Sequence, residues 1–378
     1  MIPLSARSDV DPFIVMDVMA RAAALEAGGR SVIHMEVGQP GTPAPEGARA
    51  ALAAAMERGA LGYTVALGLP ALRARIARHY AEWYGVELDP ARVVVTSGAS
   101  AAFVLAFTAL FDPGARVGLG APGYPSYRQI LRALSLTPVE IETRAEDRFQ
   151  PRPEDAAGLD GLIVASPSNP AGTILDRDAL ASLIATGVPV ISDEIYHGLS
   201  YGRRAPCALE VADDAYVVGS FSKYFSMTGW RIGWMVVPEA HVRTVERLAQ
   251  NLFICPPHAS QVAALAALDC GAELEANRAA YARNRDLVLR ALPGMGLDRF
   301  APADGAFYAY VDVGHLTGDS LALSADILER AGVAVAPGVD FDPARGGRWI
   351  RLSYAGAGED VAEGMRRLSA YLRERAAA

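Results

Sequence analysis

The sequence predicts an α/β domain built on a mostly parallel sheet, with a smaller α+β domain after it. Three observations predict this. At 378 residues the chain is long for one core and fits one large domain plus a lesser one. Short β-rich runs alternate with helically spaced apolar segments over residues 45–275. Beyond a long helical stretch at 272–292 the pattern changes to fewer, separated strands.

Seven runs carry the sheet of the first domain: Val93–Thr96, Arg116–Leu119, Pro138–Ile141, Leu162–Ala165, Pro189–Ser192, Tyr216–Gly219 and Trp234–Val237. The segments between them, such as Ala99–Leu110, Ser126–Leu134 and Asp176–Ala185, repeat apolar residues at helical spacing. The second domain has strands at Ala306–Val313, Val333–Ala336 and Trp349–Ser353 and a closing amphipathic helix from Glu359. The expected division is therefore a large domain over 45–275 and a small one made of 276–378 with the N-terminal residues 1–44.

Composition excludes several classes of function. Hydrophobic residues at 51% and charged ones at 21% describe an ordinary globular chain. A net charge of −8 leaves no basic stripe for a nucleic acid. The run Ala101–Phe111 is too short to span a bilayer, and the first ten residues lack a secretory pattern, so a cytoplasmic protein is expected. Cys207, Cys255 and Cys270 have no CxxC spacing and are expected as buried free thiols; six scattered histidines supply no metal set.

Lys223 is the only lysine; the other 34 basic residues are arginine. A position that stays lysine under this bias needs what arginine cannot supply, an amine able to lose its proton and attack a carbonyl. A leftover surface lysine is the plain alternative, and the neighbouring motifs decide between the two.

Four motifs follow predicted strands, where an open α/β sheet presents ligands. Thr96-Ser97-Gly98-Ala99-Ser100 opens a helix and aims backbone N–H groups at an anion, although taken alone it reads more simply as a serine-capped tight turn. Asn169, between Pro167 and Pro170, offers a rigidly placed donor and acceptor. Asp193 ends a buried strand and should meet a cation or protonated ring nitrogen there, with Tyr196 three residues on. Ser220, Ser222 and Arg231 bracket Lys223 and suit a phosphate. Together they describe one ligand carrying an aldehyde, a pyridinium and a phosphate. A competing pattern, Gly118-Leu119-Gly120-Ala121-Pro122-Gly123 with Glu140 and Glu142 beyond, matches a dinucleotide fingerprint and would imply a nicotinamide-dependent oxidoreductase. Pro122 removes a donor from that loop, and the lysine cluster stays unexplained.

The ordered set Val37-Gly38-Gln39-Pro40-Gly41, Gly62-Tyr63-Thr64, Gly98-Ala99-Ser100, Pro122-Gly123-Tyr124-Pro125, Asn169-Pro170, Asp193-Glu194-Ile195-Tyr196, Ser220-x-Ser-Lys with Arg231, and Arg351 resembles the class I/II aminotransferases. These are pyridoxal-phosphate (PLP) enzymes of fold type I. The resemblance implies that Lys223 forms the internal aldimine, a Schiff base, and that Asp193 pairs with the pyridine nitrogen. Asn169 and Tyr196 would bond the phenolic oxygen and Tyr124 would stack on the ring. Gly98, Ala99, Ser100, Ser220, Ser222 and Arg231 would hold the phosphate, joined by Tyr63 across a homodimer interface. Arg351, assisted by Gly38 and Asn169, would take the substrate carboxylate. The implied reaction moves an amino group between an L-amino acid and a 2-oxo acid.

Two departures from the family pattern stand out. Ala-Gly follows Asn169-Pro170 where Thr-Gly is commoner, and Tyr124 stands where some members carry Trp. No second arginine is assignable to a distal substrate carboxylate. The same apparatus also serves β-eliminating carbon–sulfur lyases, which stay open as an alternative; a cofactor-sensing module lacks its DNA-binding part before residue 45. His197 is expected to be solvated and Glu194 to turn away from the site; the apolar run Phe13–Met16 is open to closing over the site or crossing to a partner subunit, with ordinary helix packing the plainer expectation.

Overall fold

The computed structural model describes residues 2–377, so the terminal positions 1 and 378 of the expected small domain lie outside the described residues. Helix α1 (Ile14–Ala27), strand β1 (Ile33–Met35), α2 (Glu46–Arg58) and α3 (Pro70–Tyr84) lead into β2 (Val93–Thr96), α4 (Ala99–Leu110), β3 (Arg116–Ala121) and α5 (Pro125–Ala133). Then follow β4 (Thr137–Glu142), β5 (Gly161–Ala165), α6 (Arg177–Ile184), β6 (Val190–Asp193), β7 (Tyr216–Ser220) and β8 (Gly233–Val236). The chain closes with α7 (Val242–Leu252), α8 (His258–Ala267), α9 (Gly271–Ala291), β9 (Tyr308–Asp312), α10 (Ser320–Ala331), β10 (Val333–Pro337), β11 (Trp349–Ser353) and α11 (Gly358–Ala377).

The seven expected runs form one sheet in the order β2-β8-β7-β6-β5-β3-β4. Only β8 runs against its neighbours β2 and β7; the other pairings are parallel. Strands β2, β6, β7 and β8 are buried at every position, because helices cover both sheet faces. Successive residues feed opposite cores: Val93, Val95, Val164 and Val217 enter one cluster, while Val94, Ile163, Val218 and Met235 enter the other. Helix α4, with Phe103 and Phe107 buried, closes the second cluster; truncating either ring to alanine typically costs about 3–5 kcal/mol.

The consequence for function lies at one edge. With β8 reversed, β2, β5, β6 and β7 all end on the same side of the sheet, and Gly233 at the start of β8 pairs with both Thr96 and Ser220. A Cβ on Gly233 would stand 2.9 Å from Gly219 O and 3.1 Å from Ala99 N, so only glycine lets the ends of β2 and β7 close up.

A second sheet, β1-β10-β11-β9, carries the three expected later strands and one not expected, β1, which pairs in parallel with β10. Three residues are too short a run to stand out by periodicity. The competing glycine fingerprint has a structural explanation. Gly118 and Gly120 lie inside β3, and a Cβ on Gly118 would meet Leu159 Cδ1 at 2.4 Å, so the first two glycines serve strand packing. Gly123 serves a tight turn, where a Cβ would fall 2.2 Å from Gly120 O. Glu140 is held by Arg128 at 2.9 Å.

Candidate active site

One cleft at the strand edge is lined by Gly38, Tyr124, Asn169, Tyr196, Lys223 and Arg351, all expected, together with Tyr127 and Tyr308, which were not. Lys223 lies three residues past β7, and its Nζ donates to Gly38 O at 2.7 Å. Burial, reinforced by the cations Arg351 and Arg231, brings its amine down to about 8. Much of it is therefore neutral, hence nucleophilic, only slightly above neutral pH.

Asp193, the last residue of β6, is 1% exposed and has no cation bonded to it. Its carboxylate accepts from Tyr127 Oη and, at 3.0 Å, from Ile195 N. Burial pushes it up to about 6, against the pull of those two hydrogen bonds. A buried carboxylate this poorly compensated gains most from a protonated ring nitrogen brought beside it.

Arg351 in β11 is buried and stacked by two rings, its Cζ 4.2 Å from the Tyr308 centroid and 4.6 Å from Phe341. Nη1 donates to Asn169 Oδ1 at 2.9 Å and Nη2 to Glu36 O, while Nε is buried without a partner. An orphaned guanidinium donor beside the cleft is a carboxylate site in waiting. Because arginine only donates, the contact also fixes the Asn169 amide with its oxygen towards Arg351, leaving the NH₂ for a ligand. Tyr196 and Tyr308 share a hydroxyl–hydroxyl bond of 2.8 Å.

The residues expected to form an anion cradle come together beside this cleft. Gly98, at φ 79°, is the N-cap of α4 and provides no side-chain cap, so the helix keeps free N–H groups at Ala99 and Ser100. The alternative of a serine-capped turn is thereby excluded. The guanidinium of Arg231 packs directly over Gly98, where a Cβ would fall 2.5 Å from Nη2. Ser220 and Ser222 are buried just before Lys223, and Ser220 Oγ accepts from Ser222 N at 3.0 Å. Tyr63 is not brought into the cleft of its own chain; it is 84% exposed.

Some expectations need correction. His197 is not solvated: its side chain is 8% exposed and bonded to Tyr84 Oη at 2.7 Å and Ser166 O at 2.9 Å, and burial drives its pKa down against the pull of Glu194 and of the Ser166 carbonyl. The run Phe13–Met16 does more than pack a helix, since Phe13, Val15 and Met16 line the cleft. Of the three free thiols only Cys207 is buried. Glu194 does turn away, accepting from Ser192 Oγ and Ala208 N on the far side of β6. Tyr127 carries a sequence signal, since it lies one helical turn beyond Tyr124. Tyr308 had none; it reads as one more strand residue.

The profile of the family described as aminotransferase class I and II matches residues 30–368. The chain belongs to this family. As a class I/II aminotransferase it is 46% identical to valine–pyruvate aminotransferase of Mycobacterium tuberculosis, with 98% of both chains covered. It is 32% identical to the aspartate/prephenate aminotransferase of Thermus thermophilus over 96% of both. Among solved structures, an aminotransferase from M. tuberculosis superposes with a TM-score of 0.96 at 46% identity, covering 99% of this chain and all of that one. The T. thermophilus aspartate aminotransferase with maleate gives 0.92 at 32%, covering 98% and 100%. The fold is that of these enzymes, and the activity class is amino-group transfer between an amino acid and a 2-oxo acid. Among the described residues, no helix is long and apolar enough to cross a membrane.

Proposed function

We propose that this aminotransferase uses PLP, attached at Lys223, to exchange the amino group of an apolar L-amino acid such as valine with a small 2-oxo acid such as pyruvate. One observation carries the reading. The chain's only lysine shares a cleft with Arg351, whose Nε is orphaned, and with Tyr127, which is bonded to the buried Asp193, while Phe13, Val15 and Met16 wall the same space. Among the described residues lining it Arg351 is the only arginine, so this chain itself offers no second guanidinium for an acidic side chain. The M. tuberculosis relative named for valine and pyruvate agrees with that choice.

The residues fit the cofactor. The uncapped α4 N-terminus with Arg231, Ser220 and Ser222 suits its phosphate, the under-compensated Asp193 its ring nitrogen, and the free amide of Asn169 with Tyr196 its phenolic oxygen. Tyr124 supplies an aromatic face. When bound, PLP contributes an aldehyde that carries the amino group and a ring that accepts the electron pair left at Cα. The protein does the rest. Arg351 holds the substrate carboxylate and so fixes the Cα–H bond relative to Lys223. Lys223 Nζ, its proton affinity lowered by burial to about 8, would take the proton from the substrate Cα and pass it to the carbon that receives the amino group, and would run the same transfer in reverse in the second half-reaction. Asp193 stays charged beside a protonated ring nitrogen, and the apolar wall keeps water from competing.

A homodimer completed by Tyr63 is part of the proposal, supported by the exposure of Tyr63 and of its neighbour Val65. Three unpaired thiols agree with a cytoplasmic, reducing setting. The expected division into 45–275 and 1–44 with 276–378 is retained, supported by β1 joining the sheet of β9–β11. Borohydride reduction of the PLP-loaded protein followed by peptide mapping tests the attachment. The expected adduct is on Lys223 alone; an unmodified Lys223 peptide from a yellow protein would overturn the assignment.

A further inference from the structure

Asp340 has no place in the chemistry above, yet it is 2% exposed and ends the short turn Gly338–Asp340 after β10. Its carboxylate reaches across the chain to the start of α1: Oδ1 accepts from Ile14 N at 3.2 Å and Oδ2 from Val15 N at 3.1 Å. Helix α1 has no cap of its own, because the N-cap residue Phe13 makes no side-chain hydrogen bond. A carboxylate more than three hundred residues away thus satisfies the first-turn N–H groups and suits the positive end of the helix.

The same turn touches the site in two further ways. The ring of Phe341 stacks on Arg351, and Phe341 O accepts from Gly123 N at 3.0 Å, next to Tyr124. Phe13 in turn meets the Tyr124 ring edge-on at 5.9 Å, and Val15 is buried in the cluster that contains Phe341. One short segment therefore sets the positions of Arg351, Tyr124 and the first turn of α1 relative to one another.

We propose that Asp340 is a positioning residue that seats the first turn of α1 as the apolar wall, Phe13, Val15 and Met16, against which the substrate side chain is selected. This rests on the reading of the cleft as an amino-acid site. Binding of the α-carboxylate by Arg351 is common to all substrates; contact with the wall grows with side-chain size. Loosening the wall costs large apolar substrates more than small ones, and the added methyl groups of valine over alanine are worth about 10–200-fold per methylene in a well-formed pocket.

The test compares Asp340→Asn, which keeps one acceptor oxygen, with Met16→Ala, a change at a half-exposed wall position. In the cofactor-free protein, hydrogen exchange at the Ile14 and Val15 amides should quicken about 10-fold in Asp340→Asn and stay unchanged in Met16→Ala. In the PLP-loaded protein, both variants should lower the valine-to-alanine ratio of kcat/KM about 10-fold, with the alanine KM held within about 2-fold. Unchanged exchange in Asp340→Asn would show that the carboxylate does not hold the helix. A ratio that stays fixed, with or without an equal loss for both amino acids, would show that the wall does not select. If the wild-type protein transaminates neither amino acid, the function proposed above fails, while the exchange arm still decides the role of Asp340.

Discussion

Replacing Lys223 with methionine should abolish transamination and yet stabilise the cofactor-free protein at neutral pH. Burial, helped by Arg351 and Arg231, takes the amine from 10.5 to about 8. At about 1.4 kcal/mol per pH unit, keeping it protonated at neutral pH costs the fold up to about 3 kcal/mol, an upper bound because water reaches the open cleft. The folded protein binds this proton more weakly than the unfolded chain does. The cost is therefore complete below about pH 8 and fades as pH rises towards 10.5. Methionine removes the charge while keeping a chain of similar length, but it also removes the 2.7 Å bond to Gly38 O, worth about 1 kcal/mol. The net expectation is a gain of about 2 kcal/mol at neutral pH, turning into a loss of about 1 kcal/mol above the unfolded pKa. Urea unfolding of both cofactor-free proteins across that range reads the difference from the midpoints. A difference that does not change with pH, or a variant less stable at neutral pH, would refute the claim that the site holds its amine in a costly environment.

Three other changes test neighbouring parts of the account. In Gly38→Ala the new Cβ falls 1.8 Å from Tyr308 Oη; displacing that ring disturbs Arg351 and the Lys223 acceptor together, so kcat/KM should fall about 100-fold or more in steady-state assays. Arg351→Lys keeps the charge but loses the fork, and the KM for amino acids should rise about 10–100-fold while PLP is retained through dialysis. The rate at which cofactor-free protein takes up PLP should climb with pH through about 8, as the Lys223 amine becomes neutral, and in Arg351→Met the midpoint should move upward because a repelling cation is gone.

Much of this site was readable in one dimension because a parallel sheet delivers its strand ends to one edge. Each motif directly after a run (Gly98, Asn169, Asp193, Lys223) was bound to meet the others there. The uncapped start of α4 was legible for the same reason, as a strand followed at once by a helix. What stayed hidden were contacts whose partners are far apart in sequence. Nothing near Tyr308 announces that its ring lies under Arg351 and its hydroxyl against Gly38, and Asp340 reads as a loop residue until α1 is found resting on it. His197 misled because a histidine next to a site looks free in a sequence, whereas Tyr84 and the carbonyl of Ser166 fill its hydrogen bonds from two other segments. Gly118 and Gly120 imitate a phosphate loop by their spacing, which Pro122 already argued against; at Gly118 it is side-chain packing against β3 that excludes a Cβ.

The most direct test of the central claim is a single turnover with L-valine and no acceptor. PLP-loaded protein should release one equivalent of the 2-oxo acid per chain, stop, lose its visible absorbance, and resume only when pyruvate is added; Lys223→Ala should release none. Continuous release of 2-oxo acid and ammonia from sulfur-containing amino acids without any acceptor would mark a lyase, and activity surviving in Lys223→Ala would contradict the account outright.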